Sequence, residues 1–534
     1  MKSEVKTAEQ LAKEQREISV AEFFEKNRHL LGFDNPMKAL MIAVKEMVDN
    51  SLDACQEAGI LPEITIKIRE LSEDRARVSV EDNGPGIVKE QIPRVFGKLL
   101  YGSKFYKMRQ GRGQQGIGVS AALLYSQLTT GKPAIVISRT AKGKPAHEMH
   151  IRIDTSKNEP EVIKDEKFEG NFNDHGTYVE MEMEGKYRKG DRSVDEFIRQ
   201  TAIANPFAKL VYHVNGEKVT YSRIIEQLPK EAKQIKPHPQ GVEMGVFEKM
   251  IKMTKGRTIA GFLSGDFTRV GPNTAKDILK LAKVNPNTKP DKITREEMEK
   301  IWRNLQKAKL MKPPMDCLSP IGGDVLEKSL KKDVGVDFTA AITRSPDVYR
   351  GMPFQVEVCI GYGGKLDPAG SAQIMRFANR VPLLYQGSSC AITKAVQDIA
   401  WKSYHIEHQN NNPTGPLVIV VHMASVWIPY TSESKEAIDP YDEIEKEIKL
   451  AKQDCARKLK TYLAGQHRRM LEGKRKGLFE KYLPEIANNL SLLSGEKDAE
   501  IRKHLEKLLS KGVVDESENG ESEGEIKSTG EESS

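Results

Sequence analysis

Residues 44–54 read VKEMVDNSLDA, and residues 82–86 read DNGPG. In the first block Glu46, Asn50 and Asp53 stand at i, i+4 and i+7, so on a helix they share one stripe. Leu40, Val44, Met47, Val48, Ser51 and Cys55 make a second, mostly apolar stripe at helical spacing. The pattern predicts a helix with one packed face and a carboxylate–amide–carboxylate row beside it. Taken alone, such a row is most simply the polar flank of an amphipathic helix.

The blocks that follow change that reading. Arg77–Val80 predicts a short strand running into Asp82-Asn83-Gly84-Pro85-Gly86, a turn rich in structure-punctuating residues. Residues 111–122 then read GRGQQGIGVSAA, and His175-Gly176-Thr177 heads a later strand. Within the glycine run a GxGxxG pattern occurs at Gly111–Gly116, but polar residues 106–110 precede it where a dinucleotide fold needs a buried strand. A GxxxxGK[ST] phosphate loop is absent from the chain. The four blocks, in this order, resemble the Bergerat-type ATP-binding fold of the gyrase, heat-shock-90, histidine-kinase and MutL group.

Each block suits the chemistry of a triphosphate. Mg2+ prefers hard oxygen ligands and retained waters, and Asn50 offers an amide oxygen that adds no charge. Glu46, one turn back, is placed to polarise a water near the γ-phosphate. Gly86 lets backbone approach a base closely. Gly113, Gln114, Gln115, Gly116, Ile117, Gly118, Val119 and Ser120 can wrap phosphates with backbone N–H groups and feed a helix, Val119 to Gln127, whose N-terminus favours anions. The resemblance implies that Asp82 reads the adenine amino group and that Thr177 supports the adenine side. It also brings Ser103 and Lys104 to the nucleotide.

At 534 residues the chain is long enough for about three domains. Its 38% hydrophobic and 30% charged residues fit a globular protein with a charged surface. With no run of eighteen apolar residues and no signal-peptide pattern in residues 1–10, a cytoplasmic location is expected. Cys55, Cys317, Cys359, Cys390 and Cys455 are scattered without a CxxC pair, which predicts buried thiols rather than disulfides or a zinc ribbon. Eight acids and one lysine from Asp515 onward carry −7 of a net +7, leaving +14 on the rest. A basic body suits a polyanionic partner, although Lys/Glu richness equally suits a heat-stable surface.

Along the chain, residues 1–18 read as a polar N-terminal strap. Ser19 with Glu22 forms a capping-box pattern, and Asn35-Pro36 starts the signature helix. Residues 62–230 alternate strands and helices as an α/β sandwich, in an ATPase domain expected over 19–228. After a Pro/Lys/Gln linker, residues 229–309 form a small helical block. Its helix, Val270-Gly271-Pro272 loop and second helix resemble the helix-two-turn-helix module of DNA-handling proteins, with a basic loop at Lys255-Gly256-Arg257-Thr258. Residues 310–474 form a further α/β domain, whose strands lead to a helix expected over Ile438–Leu463. Lys435 lies in the loop ahead of that helix, where a lysine can reach a neighbouring site as a point charge. Residues 475–512 read as helical, and 513–534 as a disordered acidic tail.

This order of domains, with VKEMVDNSLDA, EDNGPGI, LLYGSKF, GRGQQGIGVSAALLYSQ, HGT, VGPNTA and Trp401-Lys402-Ser403-Tyr404, resembles the B-subunit family of archaeal type IIB DNA topoisomerases. The resemblance spans roughly residues 15–470. It implies a general base at Glu46, an Mg2+ ligand at Asn50 and nucleotide contacts at Asp82, Gly86, Ser103, Lys104, residues 113–120 and Thr177. It makes Lys435 the lysine of a transducer domain that senses the γ-phosphate. The implied cofactors are ATP and Mg2+. The implied partners are double-stranded DNA, a second copy of the ATPase domain and a DNA-cleaving A subunit in an A2B2 assembly. Some relatives carry Lys at the position of Ser120, and longer ones add a β-rich C-terminal domain for which no stretch here fits. A MutL-like repair clamp and a heat-shock-90-like chaperone share the ATP blocks but lack the helical insert, and a histidine kinase needs a phosphoacceptor helix pair ahead of its ATPase domain.

Overall fold

The computed structural model describes residues 7–8, 11–12, 15–103, 108–113, 116–432 and 434–518. Lys104, Gln114 and Gln115, much of the expected strap and residues 519–534 of the expected tail lie outside these. The chain divides into two compact units, Met1–Leu459 and Lys460–Ser534.

The first unit begins with helix α1 (Val20–Lys26), where the Ser19 side chain accepts from the Glu22 N–H at 3.0 Å. The signature helix is α2 (Pro36–Glu57). Asn35 starts it by accepting from the Met37 and Lys38 N–H groups, both at 3.0 Å, and Pro36 supplies a preset φ at a position needing no donor. Its apolar face is fully buried from Ala39 through Leu52 to Cys55. It packs on a sheet of strands β1 (Glu63–Ser72), β2 (Arg75–Asp82), β3 (Ala134–Arg139), β4 (Ala146–Asp154), β5 (Glu159–Phe168), β6 (Gly176–Glu184), β7 (Lys209–Val214) and β8 (Glu217–Tyr221). The order is β5-β4-β3-β6-β2-β1-β7-β8, and only the β1–β7 pairing is parallel. Alternation along β1 sends Ile64, Ile66 and Ile68 into the core. Helices α3 (Ile92–Gly97), α4 (Gly118–Thr130) and α5 (Val194–Ala204) contribute to the same core.

The helical insert has its own core. Its helices are α6 (Met244–Met253), α7 (Ile259–Asp266), α8 (Pro272–Ala282) and α9 (Arg295–Lys307). The rings of Phe247, Phe262 and Phe267 meet at centroid separations of 5.5 to 6.1 Å. Pro272 follows the Val270-Gly271 turn at the first position of α8, as a helix start favours.

The second sheet comprises β9 (Phe338–Thr343), β10 (Asp347–Tyr349), β11 (Met352–Tyr362), β12 (Gln373–Ala378), β13 (Val381–Pro382) and β16 (Leu417–Ser425), ordered β10-β11-β16-β12-β13 with β9 on β11. Strands β14 (His408–Gln409) and β15 (Asn412–Pro413) form a separate ribbon. Helix α10 (Gly323–Asp333) packs against β9 and β11 of the second sheet, and helix α11 (Ala391–Gln397) lies beside β15. Helix α11 stops at Gln397, and Trp401 begins a tight 3-10 turn with its ring buried. All five cysteines are free and buried.

The long helix α12 is Asp442–Ser494, so it starts later and runs much further than the expected Ile438–Leu463. Ile438 is instead paired with Tyr430 in an isolated bridge. Ile444, Ile448, Ala451, Cys455 and Leu459 are all fully buried. In the second unit α12 continues through Pro484 and is followed by α13 (Asp498–Glu518), with Leu483, Ala487 and Ile501 buried. Residues 513–518 are thus helical where a disordered tail is expected. Among the described residues no helix is long and apolar enough to cross a membrane.

Candidate active site

A cavity of about 640 Å³ opens between α2, the β2 turn and the start of α4. That size is within the range of small-molecule sites. All the described candidates line it: Glu46, Asn50, Asp82, Gly86, Ser103, Gly113, Gly116–Ser120, Thr177 and Lys435. Lys435 arrives from the loop before α12, more than two hundred and fifty residues beyond Thr177 in sequence.

At one end Asp82 is buried as the last residue of β2. Ser51 on α2 donates to its Oδ2 at 2.7 Å, and the Gly84 and Thr177 N–H groups donate to its Oδ1 at 2.8 and 3.2 Å. Burial pushes the Asp82 carboxyl above its ordinary range despite these donors. The side chain is therefore locked in one rotamer, with its acidic end at the cavity wall. Ser138 ties the neighbouring backbone together, accepting from Ile87 N–H at 2.8 Å and donating to Gly176 O at 3.0 Å. Gly86 has φ +68°, and a Cβ there would sit 2.0 Å from the Arg139 carbonyl oxygen, so only glycine fits.

At the other end the Glu46 carboxylate lies against the N-terminus of α4. A Cβ on Gly118 would fall 1.8 Å from Glu46 Oε2. The first N–H groups of α4 have no partner within the helix and favour negative charge. Gly113 approaches Asn50, whose Oδ1 would stand 3.9 Å from a Cβ at that position. The Ser120 hydroxyl donates to Lys98 O at 3.1 Å, which leaves the backbone of that first turn as its contribution to the cavity.

The charges around Glu46 exceed what the sequence spacing suggests. Lys45, buried, donates to Glu46 Oε1 at 2.7 Å and lies 3.4 Å from Asp49 Oδ2. Burial favours the neutral form of Glu46, but the charges of Lys45 and Lys435 outweigh it and hold the carboxyl below its usual range. Burial lifts Asp49 to about 6. Burial would lower Lys45, yet Glu46 and Asp49 keep it above an ordinary lysine. Lys435 is pulled down by burial, only partly offset by Glu46. Its backbone is left-handed, φ +54°, where a lysine is uncommon.

Sequence reasoning missed Lys45, because a lysine on the flank of an apolar stripe reads as solvated. It also placed Asp53 in the polar row with Glu46 and Asn50. Asp53 instead accepts from Arg112 Nη1 at 2.7 Å, a buried pair between α2 and the glycine run. Ser51, counted with the apolar stripe, faces Asp82.

Residues 37–181 match the family of histidine kinase-, DNA gyrase B- and HSP90-like ATPases. Residues 313–475 match the transducer of the topoisomerase VI B subunit. The chain is 49% identical over 487 residues to the B subunit of type 2 DNA topoisomerase 6 from Methanococcoides burtonii, covering 91% of this chain and 78% of that one. It is 48% identical over 483 residues to the corresponding protein of Methanosarcina barkeri, covering 90% and 78%. With that of Pyrococcus horikoshii the identity is 39% over 566 residues, covering 97% and 99%. The chain belongs to the topoisomerase VI B-subunit family. As a topoisomerase VI B subunit it is the ATP-hydrolysing part of a type IIB DNA topoisomerase, and its Bergerat-type domain is a nucleotide-binding domain. The match to the B-subunit transducer favours neither the repair-clamp nor the chaperone reading.

Proposed function

We propose that the cavity binds ATP with adenine at Asp82 and the γ-phosphate between Glu46, Lys435 and the first turn of α4. The observation that carries this is the convergence of a carboxylate, a lysine and a helix N-terminus at Gly118. Asp82 offers a fixed acceptor to the adenine amino group, with Thr177 and Gly86 supporting the base. Asn50 presents a neutral hard oxygen beside Gly113, which suits Mg2+, an ion usually held by few protein ligands together with phosphates. Bound there, Mg2+ would neutralise phosphate charge. Lys104, Gln114 and Gln115 complete the nucleotide contacts in this reading, with Ser103 beside them.

Glu46 acts as general base. Held ionised by Lys45 and Lys435, it takes a proton from the water that attacks the γ-phosphorus as the β–γ bridging P–O bond breaks. Lys435 senses the γ-phosphate: drawn from Glu46 toward the phosphate, it moves the domain that carries it.

The layout is strap 1–18, ATPase domain 19–228, helix-two-turn-helix domain 229–309, transducer 310–474, and a helical extension from 475 that α13 carries to Glu518, with the tail beyond it. In operation, ATP pairs two ATPase domains, and an A subunit in an A2B2 assembly cleaves the DNA duplex in the cytoplasm. Supercoiled plasmid, the purified chain, a purified A subunit, Mg2+ and ATP test this together. Relaxation that requires ATP and both proteins is expected. No ATP turnover under any of these conditions would overturn it.

A further inference from the structure

Strands β12 and β13 are joined by only two residues, Asn379 and Arg380, because Ala378 pairs directly with Val381. Both have positive φ, +49° and +68°. Such a turn favours Asn followed by Gly. Arginine at the second position is strained, and strain of this kind persists where surrounding contacts determine it. Here both side chains are buried and leave the transducer sheet for the ATPase domain.

Arg380 donates to Ala204 O, at the C-terminus of α5, at 3.2 Å, and to Ser319 O and Pro320 O at 3.3 and 2.8 Å. Its guanidinium lies over the Phe207 ring, 5.7 Å from the centroid. Its own N–H donates to His422 Nε2 at 3.1 Å, which places the imidazole proton on Nδ1, facing Glu357 Oε2 at 2.7 Å. Glu357 in turn accepts from the Ile321 and Gly322 N–H groups, both at 2.7 Å. The turn is therefore rigid from beneath.

Asn379 faces the glycine run. It donates to Gly111 O at 3.1 Å while exchanging bonds of 2.8 and 2.9 Å with the backbone of Ser425 on β16. The residue before Gly111 is held from the same side. Gln110 donates through Nε2 to Ser319 O at 3.1 Å, accepts from Ser319 N–H at 2.6 Å, and its own N–H donates to Cys317 O at 3.2 Å. Next to these, Arg112 reaches Asp53 and Gln56 on α2 at 2.7 and 2.6 Å. The start of the phosphate loop is thus bonded to α2 on one side and to the transducer on the other.

We propose that Asn379 and Arg380 are positioning residues that couple the glycine loop to the transducer by a route separate from Lys435. This rests on the reading that the cavity binds ATP beside the glycine run. A nucleotide held beside Gly113 fixes the start of the loop, and the turn passes that change to β12 and β16, through Asn379 on Gly111 and through Ser319 O, which accepts from both Gln110 and Arg380.

Hydrogen exchange on the full chain, with and without a non-hydrolysable ATP analogue and Mg2+, tests it. In the wild type the analogue is expected to slow exchange at residues 108–113 and at 373–382. Asn379→Gly keeps a residue suited to the turn and removes the bonds, and Gln110→Ala acts from the loop side should Asn379→Gly melt early. Either should retain analogue protection at 108–113 and lose roughly two- to tenfold of it at 373–382. Lys435→Ala should retain part of the response at 373–382. Full protection of 373–382 in both variants, or its complete loss in Lys435→Ala, would overturn the second route. No protection of 108–113 in the wild type would overturn the nucleotide reading itself.

Discussion

Glu46→Gln removes the one negative charge placed at the start of α4 while keeping its shape. In the wild type Lys45 donates to this carboxylate at 2.7 Å and Lys435 lines the same cavity. The amide cannot take a proton from water, so hydrolysis should fall by the roughly 10²–10⁴-fold that general-base assistance contributes. Binding should survive, because Asp82 with its three donors lies at the other end of the cavity. Removing one partner of a buried ion pair can cost roughly 3–5 kcal/mol. Here Asp49 stays 3.4 Å from Lys45, so the loss should be smaller and the fold should persist. The assay is single-turnover hydrolysis of labelled ATP, with analogue binding and a thermal melt on the same preparation. Near-normal hydrolysis by a folded, ATP-binding Glu46→Gln protein would refute the assignment of Glu46 as base.

Gly118→Ala should also suppress hydrolysis more than binding, since its Cβ would lie 1.8 Å from Glu46 Oε2 and force the carboxylate away; unchanged turnover would show that Glu46 does not act from this rotamer. Asp82→Asn should weaken ATP binding about tenfold or more, as a buried acceptor with three donors becomes a mismatched amide, read by calorimetry. Lys435→Ala should bind the analogue yet lose DNA transport with the A subunit, scored by plasmid relaxation. Asp49 has a raised pKa, about 6, so the folded state binds its proton more tightly; that contribution is full below pH 3.8 and lost as pH rises through 6. Asp49→Asn should therefore gain stability relative to wild type between pH 5 and pH 8, by about 1–2 kcal/mol in urea melts.

Much of the site was legible in sequence because its parts are local. Asn35-Pro36 announces α2 by chain chemistry alone, and Gly86 and Gly118 mark places where backbone or carboxylate comes too near for a Cβ. What stayed hidden depends on partners far along the chain. Lys45 reads as surface until its neighbours bury it, and Arg112 reads as loop charge until Asp53 is found opposite. The strand pattern leaves Asn379-Arg380 as a connection even without the usual glycine at its second position, but nothing local signals that its side chains reach Gly111 and Ala204. Edge strand β5, largely exposed and rich in Glu and Lys, lacks the alternation by which β1 reveals itself.

The same contrast bears on how the molecule works. Local patterns specify the walls of the cavity, which must be rigid to hold a nucleotide. The contacts invisible to local reading are those that join the site to the second sheet's domain: Lys435 from the loop before α12, Asn379 on Gly111, and Ser319 with Cys317 on Gln110. Both proposed routes carry a residue at positive φ, Lys435 at +54° and Arg380 at +68°. At Arg380 the surrounding contacts hold that strain in place, so the turn transmits a displacement rather than absorbing it. A cavity built from local signals and a linkage built from long-range ones is the arrangement expected when binding must be fixed and its consequence must move.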